Sequence, residues 1–387
     1  MIVQDPLRGS IRIGDQDIRE LAHTAAFRRL AGLKQQGHTC LLLREATHSR
    51  YSHSLGVYAN MRSMIEQLQA AGSARFEPFE IKIGLTSALL HDIGHGPLSH
   101  CFEAITGIHH ERWTARMIAE HPELTRVLAR TPGLTEGVLS VIGRKGDYPV
   151  LQELLFSPIG ADALDYTARD WHYSGIGAEP LEPEAFIRAM RLRAGRLVLL
   201  PEAVPYIEQF VRVKRKLFEQ GFQHPDVIGK DILLKLLFKR ARLLFASDRL
   251  QDVPEPLRPL FDGSFWPVAA YSELDDESIG AVAAQWAGHE DALLSLIGRT
   301  YTAPLESSIA WKELDVGDDP RVIASLPAEA DAPFLSEIAE QQIKYGCYRA
   351  GIGIAAESGR IVDVSELSET IREFSRYSGK RYLFYIR

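Results

Sequence analysis

A histidine and an aspartate stand side by side at the end of the apolar segment 88–92, whose sequence is ALLHD. Burying an imidazole and a carboxylate together behind a hydrophobic helix costs free energy, unless a metal ion or a counter-charge neutralises them. The glycines and proline of segment 94–97 follow at once and are expected to end the helix. His91 and Asp92 therefore predict a metal site at a helix terminus, and an open metal site commonly supports hydrolysis.

A second candidate segment begins at residue 48 and contains an arginine close to a histidine. Arg50, His53, Ser54 and Val57 are spaced so that they share one face of a helix. A guanidinium next to a metal-binding imidazole suits a phosphate that must touch both. The alternative is an ordinary solvated helix start with incidental histidines, since a single histidine is weak evidence.

The third segment, residues 160–171, combines acids, an arginine and a tyrosine at helical spacing. Asp162, Asp165, Tyr166 and Arg169 form a polar stripe opposite an apolar back. Such a stripe is either a solvated face or the wall of a site. The nearby aromatic residues favour a site, because solvated faces seldom carry tyrosine.

Together the three segments supply two imidazoles and two carboxylates, from His53, His91, Asp92 and Asp162. A mixed nitrogen and oxygen set suits zinc, iron or manganese and leaves positions for water and phosphate. Two alternatives compete with this interpretation. One is a purely structural buried pair. The other is a zinc protease using His91 and His95, but that motif requires glutamate where Asp92 stands.

Composition bounds the class of protein. The chain has 387 residues, of which 45% are hydrophobic and 25% charged, as in an ordinary globular protein with one large core or a few domains. The formal net charge of −7 does not indicate nucleic-acid binding as the main role. No signal peptide and no membrane-spanning run is visible, and the widely spaced Cys40, Cys101 and Cys347 suggest reduced thiols, so a cytoplasmic location is predicted.

Periodicity predicts a mostly α fold. A helix of about ten residues should follow Thr24, another should follow Ser54, and an apolar helix should span 81–90. A turn and strand are expected at 193–200, with helices before and after it. Further helices are predicted at 111–120, 123–130, 150–156, 161–171, 183–191, 204–219, 227–247 and from about 272. The predicted organisation is a helical core over 1–250, a helical extension over 251–305 and a small α+β region over 306–387.

The order of these motifs resembles the HD-domain metal-dependent phosphohydrolases, whose signature is a histidine, a His-Asp pair and a later aspartate. The surrounding sequence is similar to the deoxynucleoside triphosphate triphosphohydrolase branch over roughly residues 1–250. The shared segments are 5–7 (DPL), 27–30 (FRRL), 34–35 (KQ), 53–57 (HSLGV), 91–97 (HDIGHGP), 99–100 (SH), 110–111 (HE) and 165–170 (DYTARD).

This resemblance implies a helical-bundle fold and a ligand set of His53, His91, Asp92 and Asp162 for a divalent or transition ion (Mn, Fe, Zn, Ni or Mg). It also implies hydrolysis of a deoxynucleoside triphosphate to nucleoside and triphosphate by a metal-activated water, and a homo-oligomer. The implied catalytic residues line the phosphates or support the histidines that do so: His95, His100, Glu103, His110 and Glu111. The implied substrate-binding residues are Arg50 for a phosphate, Gln35, Tyr166 and Asp170 for the sugar, and Lys214 and His224 in the remaining pocket.

Several positions depart from the branch. Arg8 replaces a histidine, and His23 replaces the acid that helps bind an activating guanine nucleotide, so activation of that kind is not predicted. Phe218 and the segment 222–225 replace the branch's tyrosines and lysine. Two rival functions therefore stay open: a phosphomonoesterase or phosphodiesterase acting on another nucleotide, and a catalytically silent nucleotide-sensing module.

Overall fold

Helices dominate the computed structural model, which describes residues 1–314, 336–341, 348, 351–356, 359–376 and 379–386. The α-helices, in chain order, are α1 (Gln16–His23), α2 (Ala25–Arg28), α3 (Thr39–Leu42), α4 (Arg50–Ala70), α5 (Pro78–Leu90), α6 (His100–Thr106), α7 (His110–Glu120), α8 (Pro122–Leu128), α9 (Leu134–Ile142), α10 (Pro149–Phe156), α11 (Ala161–Ser174), α12 (Pro183–Ala189), α13 (Val204–Leu217), α14 (Pro225–Ala246), α15 (Pro259–Asp262), α16 (Val268–Ser272), α17 (Asp276–Trp286), α18 (Ala292–Thr302), α19 (Val364–Leu367) and α20 (Glu369–Phe374).

The strands form small peripheral sheets. They are β1 (Ile2–Asp5), β2 (Gly9–Arg12), β3 (Met190–Arg193), β4 (Arg196–Leu199), β5 (Ala310–Leu314), β6 (Ser336–Glu340), β7 (Gly353–Ala355), β8 (Ile361–Asp363) and β9 (Arg381–Tyr385). Strands β1 and β2 make a hairpin, and β5, β9 and β6 make an antiparallel sheet in that order. The predicted mostly α fold with small strand additions is confirmed.

Helix α4 lies at the centre of the fold, where it packs against α5 on one side and α11 on another. Its sequence explains its length and burial. The Ser49 side chain caps the N-terminus by accepting a hydrogen bond from Ser52 N. Small and apolar residues then follow almost all round, including Leu55, Val57 and Met61, each at most 1% exposed. The polar residues Arg50, His53 and Ser54 are buried at the N-terminal end of this helix, whereas Glu66, nearer its C-terminal end, is exposed.

Helix α5 ends where the sequence predicts, at Leu90, and His91 is its C-terminal capping residue. Its start is set by a proline in the first turn and by a reciprocal capping box between Glu77 and Glu80. The turn that follows Asp92 has no space for a side chain at its glycines. A Cβ at Gly94 would lie 2.0 Å from Thr114 N, so the loop after Asp92 packs directly on α7.

Some predicted boundaries differ from the structure. Thr24 does cap a helix, but that helix is only α2, followed by the 3-10 turn Arg29–Gly32, rather than a run of ten residues. The helical conformation ends at Gly32, and the backbone of Leu33 is extended. Helix α4 begins at Arg50, four residues before the predicted Ser54, because Ser49 supplies the cap.

The strand expected at 193–200 is the second half of the β3–β4 hairpin, whose turn at Ala194 and Gly195 has positive φ. Strand β4 also pairs in parallel with β7, which joins part of the C-terminal region to the helical core. The domain boundaries at 250 and 305 stay a prediction. No helix among the described residues has the length and apolar character needed to cross a membrane.

Candidate metal centre

The four predicted metal ligands converge on one point. His53 comes from α4, His91 and Asp92 from the end of α5, and Asp162 from the first turn of α11. His53 Nε2 lies 3.2 Å from Asp162 Oδ1 and 3.6 Å from Asp92 Oδ2. His91 Nε2 lies 3.4 Å from Asp92 Oδ1 and 3.7 Å from Asp162 Oδ1. His53, His91 and Asp92 therefore offer ligand atoms within 4.8 Å of one another, and an Asp162 oxygen lies next to both imidazoles.

The two Nε2 atoms fit a metal ion because they are buried with no other partner. Within the described part of the chain, neither His53 Nε2 nor His91 Nε2 makes a hydrogen bond, although both are inaccessible to solvent. Buried polar atoms are rarely left unpaired in folded proteins. A divalent cation that accepts both lone pairs would satisfy them, and the carboxylates would supply compensating charge.

The opposite nitrogens of the two imidazoles are held by the protein. His53 Nδ1 donates to Asp165 Oδ2 at 2.9 Å, and His91 Nδ1 donates to the Ala88 carbonyl at 2.9 Å. With the Nδ1 protons engaged in this way, each Nε2 lone pair points into the cluster. Hydrogen bonds of this kind orient histidine ligands in metal proteins.

Asp165 belongs to a second, completely buried charge network behind the cluster. Its carboxylate accepts two hydrogen bonds from Arg169, at 2.8 Å from Nε and 3.0 Å from NH2. Arg169 also donates to Asp5 Oδ2 at 2.8 Å. The predicted polar stripe of α11 is therefore split, since Asp165 and Arg169 are 0% exposed and only Asp162 and Tyr166 reach the open side.

While no metal is bound, the neighbouring carboxylates favour the protonated forms of His53 and His91. Burial opposes a charge on His53, but the carboxylates of Asp162 and Asp165 outweigh it and raise the pKa of His53 to about 9. The pKa of His91 is raised as well, by Asp92 and Asp162 against the effect of burial. A proton thus occupies the place that a cation would take.

We expect metal binding to release protons. At pH 7.5, Mn²⁺ should displace about one proton or more per ion, mostly from His53, and the release should decline as pH rises above 9. Calorimetric titration in buffers of different ionisation enthalpy measures this number directly. A binding enthalpy that does not depend on the buffer would contradict the expectation.

The raised pKa of His53 also predicts how the stability of the metal-free protein depends on pH. The contribution of protonated His53 is fully present below its ordinary pKa of 6.5 and is lost as pH rises through about 9.

Arg50 links the metal cluster to a neighbouring loop. Its NH1 donates to Asp92 Oδ2, and its Nε donates to Ser99 Oγ at 2.9 Å. Its NH2 lies 3.5 Å from the Gln35 carbonyl. Because the side chain is buried beside the Asp92 carboxylate, its guanidinium is held next to the candidate metal cluster.

The predicted phosphate-lining histidines form a cluster next to Asp92. His95 Nε2 lies 3.4 Å from Asp92 Oδ1, and its ring stacks on His110 with centroids 3.8 Å apart. Glu103 Oε1 accepts from His100 Nδ1 at 3.2 Å and from His110 Nδ1 at 2.5 Å. One carboxylate therefore orients two imidazoles.

Electrostatics separate the members of this histidine cluster. Burial, together with the charges of Arg50 and His110, lowers the pKa of His95 well below its ordinary value. Burial acts to raise the pKa of Glu103, but His100 and His110 outweigh it and hold it well below its usual range. His95 is thus a neutral donor and Glu103 a permanent anion. The His100 side chain is 57% exposed, so it lies at the open edge of the cluster.

Glu111 and His224 each have a partner within the protein, and their predicted roles stay predictions. Glu111 Oε1 pairs with Arg144 NH1 at 2.8 Å, while His110 is supported by Glu103 instead. His224 caps helix α14 by accepting from Asp226 N.

The predicted sugar-contacting residues lie further along α11 and in the facing loop. Tyr166 accepts a hydrogen bond from Lys214 Nζ at 2.8 Å, so the two predicted residues form one unit. Asp170 accepts from His48 Nε2 at 2.7 Å. Gln35 Oε1 is buried and has no hydrogen-bonding partner in the described ranges, which leaves an acceptor without a donor.

A strained turn precedes His100. Leu98 and Ser99 both have φ of 53°, a conformation that costs free energy for residues other than glycine. Asp276, from the first turn of α17, accepts from Leu98 N at 2.7 Å and from Lys34 N at 2.9 Å. The turn is therefore held by a carboxylate that lies far along the chain from it, in helix α17.

Sequence reasoning missed His48, Asp276 and the supporting role of Asp165. Asp165 and Arg169 could have been found as an acid and an arginine one helical turn apart on a helix with a small apolar back. His48 and Asp276 carry no local signal, because their partners are distant in the chain.

Comparison with known proteins agrees with this geometry. The HD domain family matches residues 50–169, the segment that contains all four candidate ligands. The uncharacterised protein YwfO of Bacillus subtilis is 29% identical over 404 residues, covering 98% of this chain and 90% of its own. YdhJ of the same strain is 30% identical over 271 residues, covering 67% and 75%.

The chain therefore belongs to the HD-domain superfamily of metal-dependent phosphohydrolases. Its relatives include the deoxynucleoside triphosphate triphosphohydrolase SAMHD1 homolog of Dictyostelium discoideum, 24% identical over 271 residues, covering 66% of this chain and 52% of that protein. The fold is shared with a phosphohydrolase from Bacteroides thetaiotaomicron, whose crystal structure covers the whole chain with a TM-score of 0.89 at 22% identity.

Proposed function

We propose that this protein hydrolyses deoxynucleoside triphosphates to a deoxynucleoside and triphosphate, with a divalent cation held by His53, His91, Asp92 and Asp162. The order of side chains along α11 carries the proposal. Asp162, Tyr166 and Asp170 follow at four-residue steps, so they lie on one side of the helix, about 6 Å apart along its axis. A metal ligand, an aromatic ring and a carboxylate thus form a row that suits an α-phosphate, a sugar ring and a sugar hydroxyl.

The phosphate end of this row is rich in donors. Arg50 and neutral His95 flank Asp92, and His100 and His110 continue the same surface outward. This set of donors can hold the remaining phosphates of a triphosphate. The relative named as a deoxynucleoside triphosphate triphosphohydrolase supports the same substrate class.

When bound at this site, a divalent cation supplies charge stabilisation and a water acidic enough to act as a nucleophile at neutral pH. The chain's own residues do the rest. Arg50 orients a phosphoryl oxygen, and the Glu103 carboxylate holds His100 and His110 so that one of them can give a proton to the leaving oxygen. Tyr166 and Lys214 would pack against the sugar, and Asp170 and Gln35 would bind its 3′-hydroxyl.

Product identification tests the proposal. Purified protein is incubated with Mn²⁺ or Mg²⁺ and a panel of nucleotides, and the products are separated by anion-exchange chromatography. Triphosphate and deoxynucleoside in equal amounts are expected. Orthophosphate or a cleaved diester would favour the rival nucleotide phosphohydrolase, and no turnover with metal fully loaded would favour a silent nucleotide-binding module. A homo-oligomer and a cytoplasmic location stay predictions.

Replacing Glu103 with glutamine should separate catalysis from metal binding. The amide keeps the size of the side chain but can no longer hold two imidazoles by charge, so kcat should fall about a hundredfold. Metal content should stay unchanged because Glu103 lies outside the four-ligand cluster. Steady-state kinetics and elemental analysis measure the two quantities. Glu120→Gln on α7, where the carboxylate pairs with Arg116, is the matched control. Equal activity of Glu103→Gln and wild type would exclude this role.

A further inference from the structure

One buried histidine outside the metal cluster connects two residues of the proposed sugar site. We propose that His48 is a positioning residue that fixes Asp170 and Gln35 for recognition of the sugar 3′-hydroxyl. The inference rests on the proposed function and deepens it.

The side chain of His48 holds Asp170 in place. His48 Nε2 lies 2.7 Å from Asp170 Oδ1, and both side chains are buried, at 1% and 7% exposed. The imidazole stacks on Tyr173 with centroids 4.8 Å apart and an interplanar angle of 21°. An ionised carboxylate can only accept, so Nε2 carries the proton and donates it. Asp170 therefore has one oxygen anchored, and its Oδ2 keeps its acceptor capacity for a substrate group.

The backbone of the same residue holds Gln35. The His48 carbonyl accepts from Gln35 N at 2.9 Å, which pins the loop that carries the Gln35 side chain. His48 therefore contacts both Asp170 on α11 and Gln35 in the facing loop, the two residues proposed to approach the sugar. Neither His48 contact reaches the metal cluster, so the effect of His48 should be confined to the sugar end of the site.

The His48 imidazole makes no second hydrogen bond within the described structure. His48 Nδ1 is buried and makes no hydrogen bond to any described residue. A buried nitrogen without a hydrogen bond costs free energy. If His48 only filled space, an apolar ring of similar size would therefore be tolerated in its place. The single donation to Asp170 is the contact that an apolar ring cannot reproduce.

The test compares one substrate pair in several variants. The kcat/KM is measured for a deoxynucleoside triphosphate and for its 2′,3′-dideoxy counterpart, which lacks only the 3′-hydroxyl. His48→Phe keeps a stacked ring but loses the donor, and His48→Gln keeps a donor near the Nε2 position. The control is His172→Phe, because His172 is an exposed histidine of α11 that also contacts Tyr173.

In wild type the deoxynucleotide should be the better substrate. In His48→Phe its kcat/KM should fall about tenfold or more, while that of the dideoxynucleotide stays within about twofold. His48→Gln should recover most of the difference, and His172→Phe should behave as wild type. The ratio is measured within each preparation, so partial misfolding of a variant cancels.

Two results would overturn the inference while leaving the proposed function intact. The first is an equal loss on both substrates in His48→Phe, and the second is a wild-type enzyme that releases triphosphate from both substrates equally well. Failure of the wild type to release triphosphate at all would instead refute the proposed function, and the inference with it.

Discussion

Replacing His91 with alanine and Asp92 with asparagine is expected to give a folded protein that retains no metal and has lost catalytic activity by about a thousandfold or more. The double change removes one of two imidazole donors and one of two carboxylates from the cluster. Asparagine keeps an acceptor for the buried guanidinium of Arg50, so that the variant is not penalised by an unpaired cation. Elemental analysis of the purified protein and steady-state kinetics with added Mn²⁺ measure the two losses.

The matched control for this experiment is His23→Ala, since His23 is exposed and contacts Arg28 rather than the cluster. It should bind metal and turn over as wild type does. A His91→Ala, Asp92→Asn protein that remained active would refute the proposed site itself, whatever the identity of the substrate.

Asp165→Asn is expected to lower the free energy of unfolding of the metal-free protein by about 3 kcal/mol. Removing this charge leaves Arg169 buried with only Asp5 to neutralise it, and removes the anion that His53 Nδ1 faces. Urea unfolding followed by circular dichroism measures the change. Glu20→Gln is the matched control, because Glu20 pairs with Arg126 and Arg130 at the surface, and it should change stability far less.

The effect of Asp165 should also depend on pH in a defined direction. Burial favours its neutral form, but Arg169 and His53 hold the pKa of Asp165 well below the ordinary 3.8. Its contribution to stability is therefore fully present above pH 3.8 and is lost as pH falls toward the lowered folded value. The gap between wild type and Asp165→Asn should narrow in strong acid, and a gap that widened would contradict the assignment.

Residue type and local spacing predicted most of the candidate ligand cluster. His91 and Asp92 could be found because charged residues rarely end an apolar helix without a reason, and Arg50 and His53 because they share a helical face. The α11 stripe was harder to interpret. Asp165 and Arg169 share the polar stripe with Asp162, and their burial depends on the elements packed against α11, which include α4.

The remaining features depend on contacts between distant parts of the chain. His48 finds Asp170 across 122 residues, and Lys34 N finds Asp276 across 242. Nothing in the neighbouring sequence marks either residue. The β1–β2 hairpin was missed for another reason: four-residue strands carry too few alternating positions to stand out. Cys347 and most of segment 315–350, where part of the α+β region was predicted, lie outside the described residues.

The carboxylate of Asp276 has a consequence for the order in which a newly made chain becomes functional. A ribosome that has released the first 275 residues has already delivered every proposed metal ligand and the whole histidine cluster. It has not delivered the acceptor for Leu98 N and Lys34 N, so the strained turn before His100 still lacks its support. The turn before His100 therefore gains its two supporting hydrogen bonds only after Asp276 has been added to the chain.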